Sequence, residues 1–168
     1  VARQQYENSA DLAYEWGIGK MIEEAWGGWV RKLPKAYGMD FALLDDKDDD
    51  PVEFSLFGHA KGHGLLCMVE IKGARYSVRR HRDALVALQK WRTAYEWRRA
   101  TGLPIYFVWG YTDDVRWYEV DGPPDIPACI RWGGRVDRND SADKEPLVRI
   151  PVDALHPLSA VPAWVVRR

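Results

Sequence analysis

The spacing of apolar positions divides the chain into segments of two kinds. Over residues 9–26, Leu12, Trp16, Gly19, Ile22 and Trp26 fall on one arc when wound at about 100° per residue, which predicts an amphipathic helix. Ser9 fits its N-cap, Asp11 lies in its first turn and Gly27-Gly28 ends it. Short strands are predicted at Trp29–Leu33 and Asp40–Leu44, separated by Pro34 and a Tyr37-Gly38 turn. Leu65–Lys72 opens as a continuous apolar run, the mark of a strand buried on both faces. Residues 80–101 read as a second helix with the stripe Ala84, Ala87, Leu88, Trp91, Ala94 and Tyr95, closed by Thr101-Gly102-Leu103-Pro104. Ile105–Tyr111 and Val115–Val120 then form a hairpin about Thr112-Asp113-Asp114.

The resulting order is helix, three strands, helix, two strands. The third and fourth strands flank a helical crossover and should be parallel, whereas the early strands connect by short turns and should be antiparallel. This predicts an α/β fold with a mixed central sheet flanked by helices. The length of 168 residues suits one domain, with a core over about 9–120. Seven of the ten prolines lie beyond Asp121, so 121–168 is expected to be an irregular C-terminal extension with one strand near Leu147–Val152.

Composition adds exclusions. A chain that is 46% hydrophobic and 29% charged can build a core and is not disordered throughout. Its apolar runs fall short of a membrane span, and no secretory leader opens it. Two cysteines, Cys67 and Cys129, make no disulfide framework. The expectation is a cytoplasmic protein without a membrane partner.

Net charge is −1, but its distribution is uneven. Residues 40–53 hold seven acids and one base, and residues 72–99 hold nine Lys or Arg and two acids. Solvated faces would give this pattern, and so would a polyanion held near a cation site.

Three acidic positions carry the chemistry. In Met68-Val69-Glu70-Ile71-Lys72-Gly73, strand alternation puts Glu70 and Lys72 on one face, about 6–7 Å apart along the strand. Charges at the end of a buried strand require partners or a metal, unless the strand emerges into solvent there. Asp40 opens a strand directly after a turn, a position that also suits an ordinary capping aspartate. Glu15 falls at the centre of the first helix's apolar arc, and Glu23 falls on the same arc and competes for any role.

An acid on the first helix, an Asp opening the second strand and Glu-x-Lys ending the third resemble the PD-(D/E)XK nuclease superfamily. That group includes Holliday-junction resolvases, restriction endonucleases and phage-type nucleases. The order of elements is similar to its restriction-endonuclease-like α-β-β-β-α-β core. Gly102–Trp109 and Glu145–Val152 also look like phage-encoded members.

The resemblance implies a Mg²⁺- or Mn²⁺-dependent DNA endonuclease. Asp40, Glu70 and the Ile71 carbonyl would be metal ligands, and Lys72 would orient water or stabilise charge on the phosphate. Glu15 would hold a second metal or a metal-bound water. Lys90 would add positive charge near the scissile phosphate, with Gln89 beside it. Arg75, Arg79, Arg80 and Arg82 follow the motif and could hold backbone phosphates. Hard oxygen ligands and nearby ammonium groups suit such chemistry. The substrate would be DNA, with branched or structured forms among the candidates, and many relatives cut two strands as homodimers.

Two features depart from the pattern. The 29 residues between Asp40 and Glu70 require an insertion. Gln89 is followed four residues later by Thr93, not Tyr, so the exonuclease branch is not implied.

Other signals carry less. Asp46, Asp48 and Asp50 have calcium-loop spacing, but Pro51 and Phe57 occupy the positions that need Gly and Glu. His59, His63 and Cys67 lack a fourth zinc ligand. Among nine tryptophans, Trp16, Trp26 and Trp91 are expected in the core, and Trp97 and Trp132, flanked by basic residues, are candidates to stack on bases. The rival reading is a non-catalytic nucleic-acid-binding or assembly module that keeps the nuclease fold.

Overall fold

The computed structural model describes residues 9–45, 64–124, 129–133 and 144–166. Helix α1 spans Ser9–Trp26 and is followed by strands β1 (Trp29–Lys32), β2 (Phe41–Leu44) and β3 (Leu65–Gly73). Strand β4 (Asp83–Ala87) runs directly into helix α2 (Leu88–Thr101), and β5 (Ile105–Gly110) and β6 (Val115–Glu119) form the hairpin. Strands β7 (Ile130–Gly133), β8 (Glu145–Pro151) and β9 (His156–Pro157) and a short helix α3 (Ala163–Val166) complete the order. The aspartate-rich stretch and His59 and His63 lie outside the described residues.

Six strands make the central sheet, in the order β1-β2-β3-β5-β6-β9. β3 and β5 are parallel, with Glu70 opposite Phe107, and β1–β2, β2–β3 and β5–β6 are antiparallel. The mixed sheet flanked by helices is therefore as the pattern predicted.

Alternation along β3 and β5 feeds two cores. On one face, Ile18, Ile22 and Trp26 of α1 cover Phe41, Leu43, Val69, Ile71, Tyr106 and Val108. Trp26 sits edge-on to both Tyr106 and Trp117. On the other face, Trp91 and Ala94 of α2 join Ala42, Leu44, Met68 and Phe107. Truncating a side chain as enclosed as Ile22 to Ala would cost about 2–5 kcal/mol. Gly27 ends α1 at φ 74°, its amide closing on the Glu23 carbonyl at 2.9 Å.

Three expectations fail locally. The second helix begins at Leu88, not at residue 80, because Asp83–Ala87 is extended and pairs antiparallel with β8. Ala84 and Val86 alternate inward, a two-residue period hidden beneath an apparently helical stripe. The tail is also more ordered than its prolines suggest. β4, β8 and β7 form a three-stranded sheet, and Ala84, Val86, Val148 and Ile150 enter the same apolar cluster as α2. Trp16 is 39% exposed instead of buried, since α1 turns Ile18, Gly19 and Ile22 inward and leaves Trp16 edge-on to Phe41.

Candidate active site

Glu70 is the one charged side chain among the buried described residues, 2% exposed, on the α2 face of β3. Its Oε1 accepts from Lys72 Nζ at 2.7 Å and pairs with Lys90 Nζ at 2.8 Å. Lys72 comes from the same face of the same strand, and Lys90 comes from the first turn of α2. Lys90 also donates to the Gly38 carbonyl at 3.0 Å, which fastens the helix to the turn that precedes Asp40. Gly38 has φ 67°, and a Cβ there would lie 2.9 Å from Thr93 Cγ2, so both backbone shape and space call for glycine.

Asp40 is held by its backbone and its side chain. Its amide donates to the Val69 carbonyl at 3.1 Å, and its own carbonyl accepts from Leu33 at 2.9 Å. Its Oδ2 accepts the Ile71 amide at 2.7 Å, just past the point where β2 begins to pair with β3. In a strand, the N–H and C=O of one residue point to the same edge, so the Ile71 carbonyl lies on the Asp40 side of β3.

The fold thus brings Asp40, Glu70, Ile71, Lys72 and Lys90 together. Glu15 joins them indirectly. Its Oε2 pairs with Lys32 Nζ at 2.6 Å, and the same ammonium lies 3.4 Å from Asp40 Oδ1. Glu23 instead accepts the Val30 amide at 2.7 Å and pairs with Lys20, which gives it a structural task at the entry to β1. Lys32 is the member that sequence reasoning missed. Its available signal was parity: Val30 and Lys32 share a face of β1, and Val30 is buried.

The electrostatics of the cluster are those of crowded carboxylates. Burial, then the neighbouring charge of Glu70, raises the pKa of Asp40 from 3.8 to about 6, against the lowering effects of the Ile71 amide and Lys32. Burial alone would lower the Lys32 ammonium, but its hydrogen bond to Glu15 and the charges of Asp40 and Glu15 outweigh it, and its pKa is raised.

Among the described residues, one buried side-chain polar atom has no hydrogen-bond partner. Glu70 Oε2 is buried and makes no hydrogen bond. A buried carboxylate oxygen left in this state is costly unless another group binds it. Among the described residues, no three His, Cys, Asp or Glu side chains form a metal cage. The oxygen set consists of two carboxylates and a main-chain carbonyl, which suits a hard cation that keeps most of its waters.

The remaining predicted residues lie outside this cluster. Arg79, Arg80, Arg82 and Gln89 are exposed, and Arg75 is exposed with its guanidinium 3.8 Å from Asp11. Trp97 is not displayed for stacking on bases: its indole donates to the Tyr37 carbonyl at 2.8 Å and its ring stacks on Tyr37. Trp132 is 67% exposed.

The model of the phage putative PDDEXK endonuclease family matches residues 1–158. The chain belongs to this family. Membership of the PDDEXK family covers both sheets and the whole carboxylate–lysine cluster. Neither a curated protein nor a solved structure matches the chain. Among the described residues, no helix is long and apolar enough to cross a membrane.

Proposed function

We propose that this PDDEXK family member is a divalent-metal-dependent endonuclease that hydrolyses phosphodiester bonds of DNA. The observation that carries this reading is Glu70: buried, neutralised on one oxygen by two lysines, without a hydrogen-bond partner on the other, and close enough for its charge to act on Asp40. Asp40, Glu70 and the Ile71 carbonyl would hold Mg²⁺ or Mn²⁺. When bound, the ion would polarise a phosphate oxygen and lower the pKa of a water.

The chain's own residues supply the remainder. The Ile71 amide fixes the rotation of the Asp40 carboxylate. Lys72 and Lys90 balance the charge of Glu70, and their ammonium groups would meet the negative charge that develops on a phosphate. Exposed Arg75, Arg79, Arg80 and Arg82 would draw in and align the sugar–phosphate backbone, with Gln89 as a neutral polar contact.

The test is cleavage of labelled duplex, single-stranded, flap and four-way-junction DNA, and of RNA, with Mg²⁺, Mn²⁺ or EDTA. Cutting that needs metal and disappears in Glu70→Ala and Lys72→Ala supports the reading and identifies the substrate. Binding without cutting would replace it with a non-catalytic nucleic-acid-binding module. The absence of both binding and cutting would overturn it.

A further inference from the structure

The carboxylates around Asp40 define two places where a cation could sit, and the chain already fills one. The first is beside Glu70, whose charge acts on Asp40 and whose buried Oε2 has no hydrogen-bond partner. Between Asp40 and Glu15 lies the Lys32 ammonium, 2.6 Å from Glu15 Oε2 and 3.4 Å from Asp40 Oδ1. Lys32 is also anchored from below, with its Nζ 4.7 Å from the centre of the Phe41 ring.

We infer that Lys32 is a built-in cation standing in the second cation position, so that this centre takes one divalent ion. The inference rests on the metal-dependent reading above and replaces the role of second-metal ligand for Glu15. Three carboxylates (Glu15, Asp40, Glu70) face three ammonium groups (Lys32, Lys72, Lys90), and the cluster is neutral before any metal binds. One divalent ion then leaves a net positive charge to meet a phosphate. A second would have to displace a paired ammonium from Glu15 and face like charge from three lysines. Glu15 is on this account a positioning residue: it holds Lys32, and Lys32 holds Asp40.

The test is Mn²⁺ binding to the full chain without DNA, followed by calorimetry and by the electron paramagnetic resonance signal of free Mn²⁺. Wild type should bind one ion. Lys32→Gln, which frees Glu15, should bind two, and Lys32→Arg, which keeps the charge, should bind one. The double variant Lys32→Gln/Glu15→Gln should return to one, which separates the charge effect from misfolding. Two ions in wild type would overturn the inference while leaving the metal-dependent reading intact, and one ion in both wild type and Lys32→Gln would do the same. No Mn²⁺ binding by wild type would overturn both.

Discussion

Lys90 reaches from the first turn of α2 to Glu70 on β3 and meets its Oε1 at 2.8 Å. This contact makes the helix part of the site and does more than cover the sheet, because the same ammonium holds the Gly38 carbonyl two residues before Asp40.

Lys72 and Lys90 converge on one oxygen, so their contributions should be coupled. Lys72→Met and Lys90→Met are each expected to slow single-turnover DNA cleavage by roughly 10²-fold or more, the scale of losing one preorganised charge stabiliser. The double variant should lose much less than the product of the two. A double-mutant cycle on cleavage rates reads this directly, and strict additivity would show that the lysines act separately.

Glu70→Gln keeps the shape and removes the charge. Mn²⁺ affinity should fall by more than tenfold and cleavage should fall to background, while the fold survives, since Lys72 and Lys90 are partly exposed and can turn to water. Calorimetry with Mn²⁺ and a thermal melt of the same sample test both halves.

Asp40 gives a pH signature in metal-free protein. Its folded pKa of about 6 lies above the unfolded 3.8, so the folded state holds the extra proton between these values. The stability it contributes is complete below pH 3.8 and is lost as pH rises through about 6, on the order of 3 kcal/mol in full. Asp40→Asn, which retains an acceptor for the Ile71 amide, should therefore gain on wild type as pH rises from 4 to 7. Urea melts in EDTA across that range would reveal the difference, and parallel curves would refute it.

The two tryptophans flanked by basic residues should behave oppositely. Trp97→Phe loses the hydrogen bond to the Tyr37 carbonyl and should cost about 1 kcal/mol of stability, with DNA affinity unchanged. Trp132→Ala should leave the melting temperature within a degree or two, because that ring is largely in solvent. Paired melts and DNA-binding isotherms on the two variants decide the assignment.

The legible part of this protein was its strand parity. Glu70 and Lys72 share a face because strands alternate, and the continuous apolar run of Leu65–Val69 announced a central strand. The helical arc placed Glu15 on the inward side of α1 without revealing what it touches. That partner, Lys32, is close only because β1 folds back beside β2, with Lys32 opposite Phe41. Strand β4 was invisible for a related reason. Its partner, β8, is some sixty residues away in sequence, and pairing with it overrides the helical spacing that Ala84, Ala87 and Leu88 suggest.

The β2–β3 hairpin separates the two ends of the chain's central machinery. Asp40 and Glu70 lie at one end, and at the other the Asp45 amide closes on the Gly64 carbonyl at 2.8 Å. The intervening connection therefore enters and leaves through a clamp remote from the acids, with four paired residues of β2 between them. The register that sets Asp40 beside Ile71 is thus carried by the pairs from Phe41–Val69 to Leu43–Cys67, within the two strands themselves.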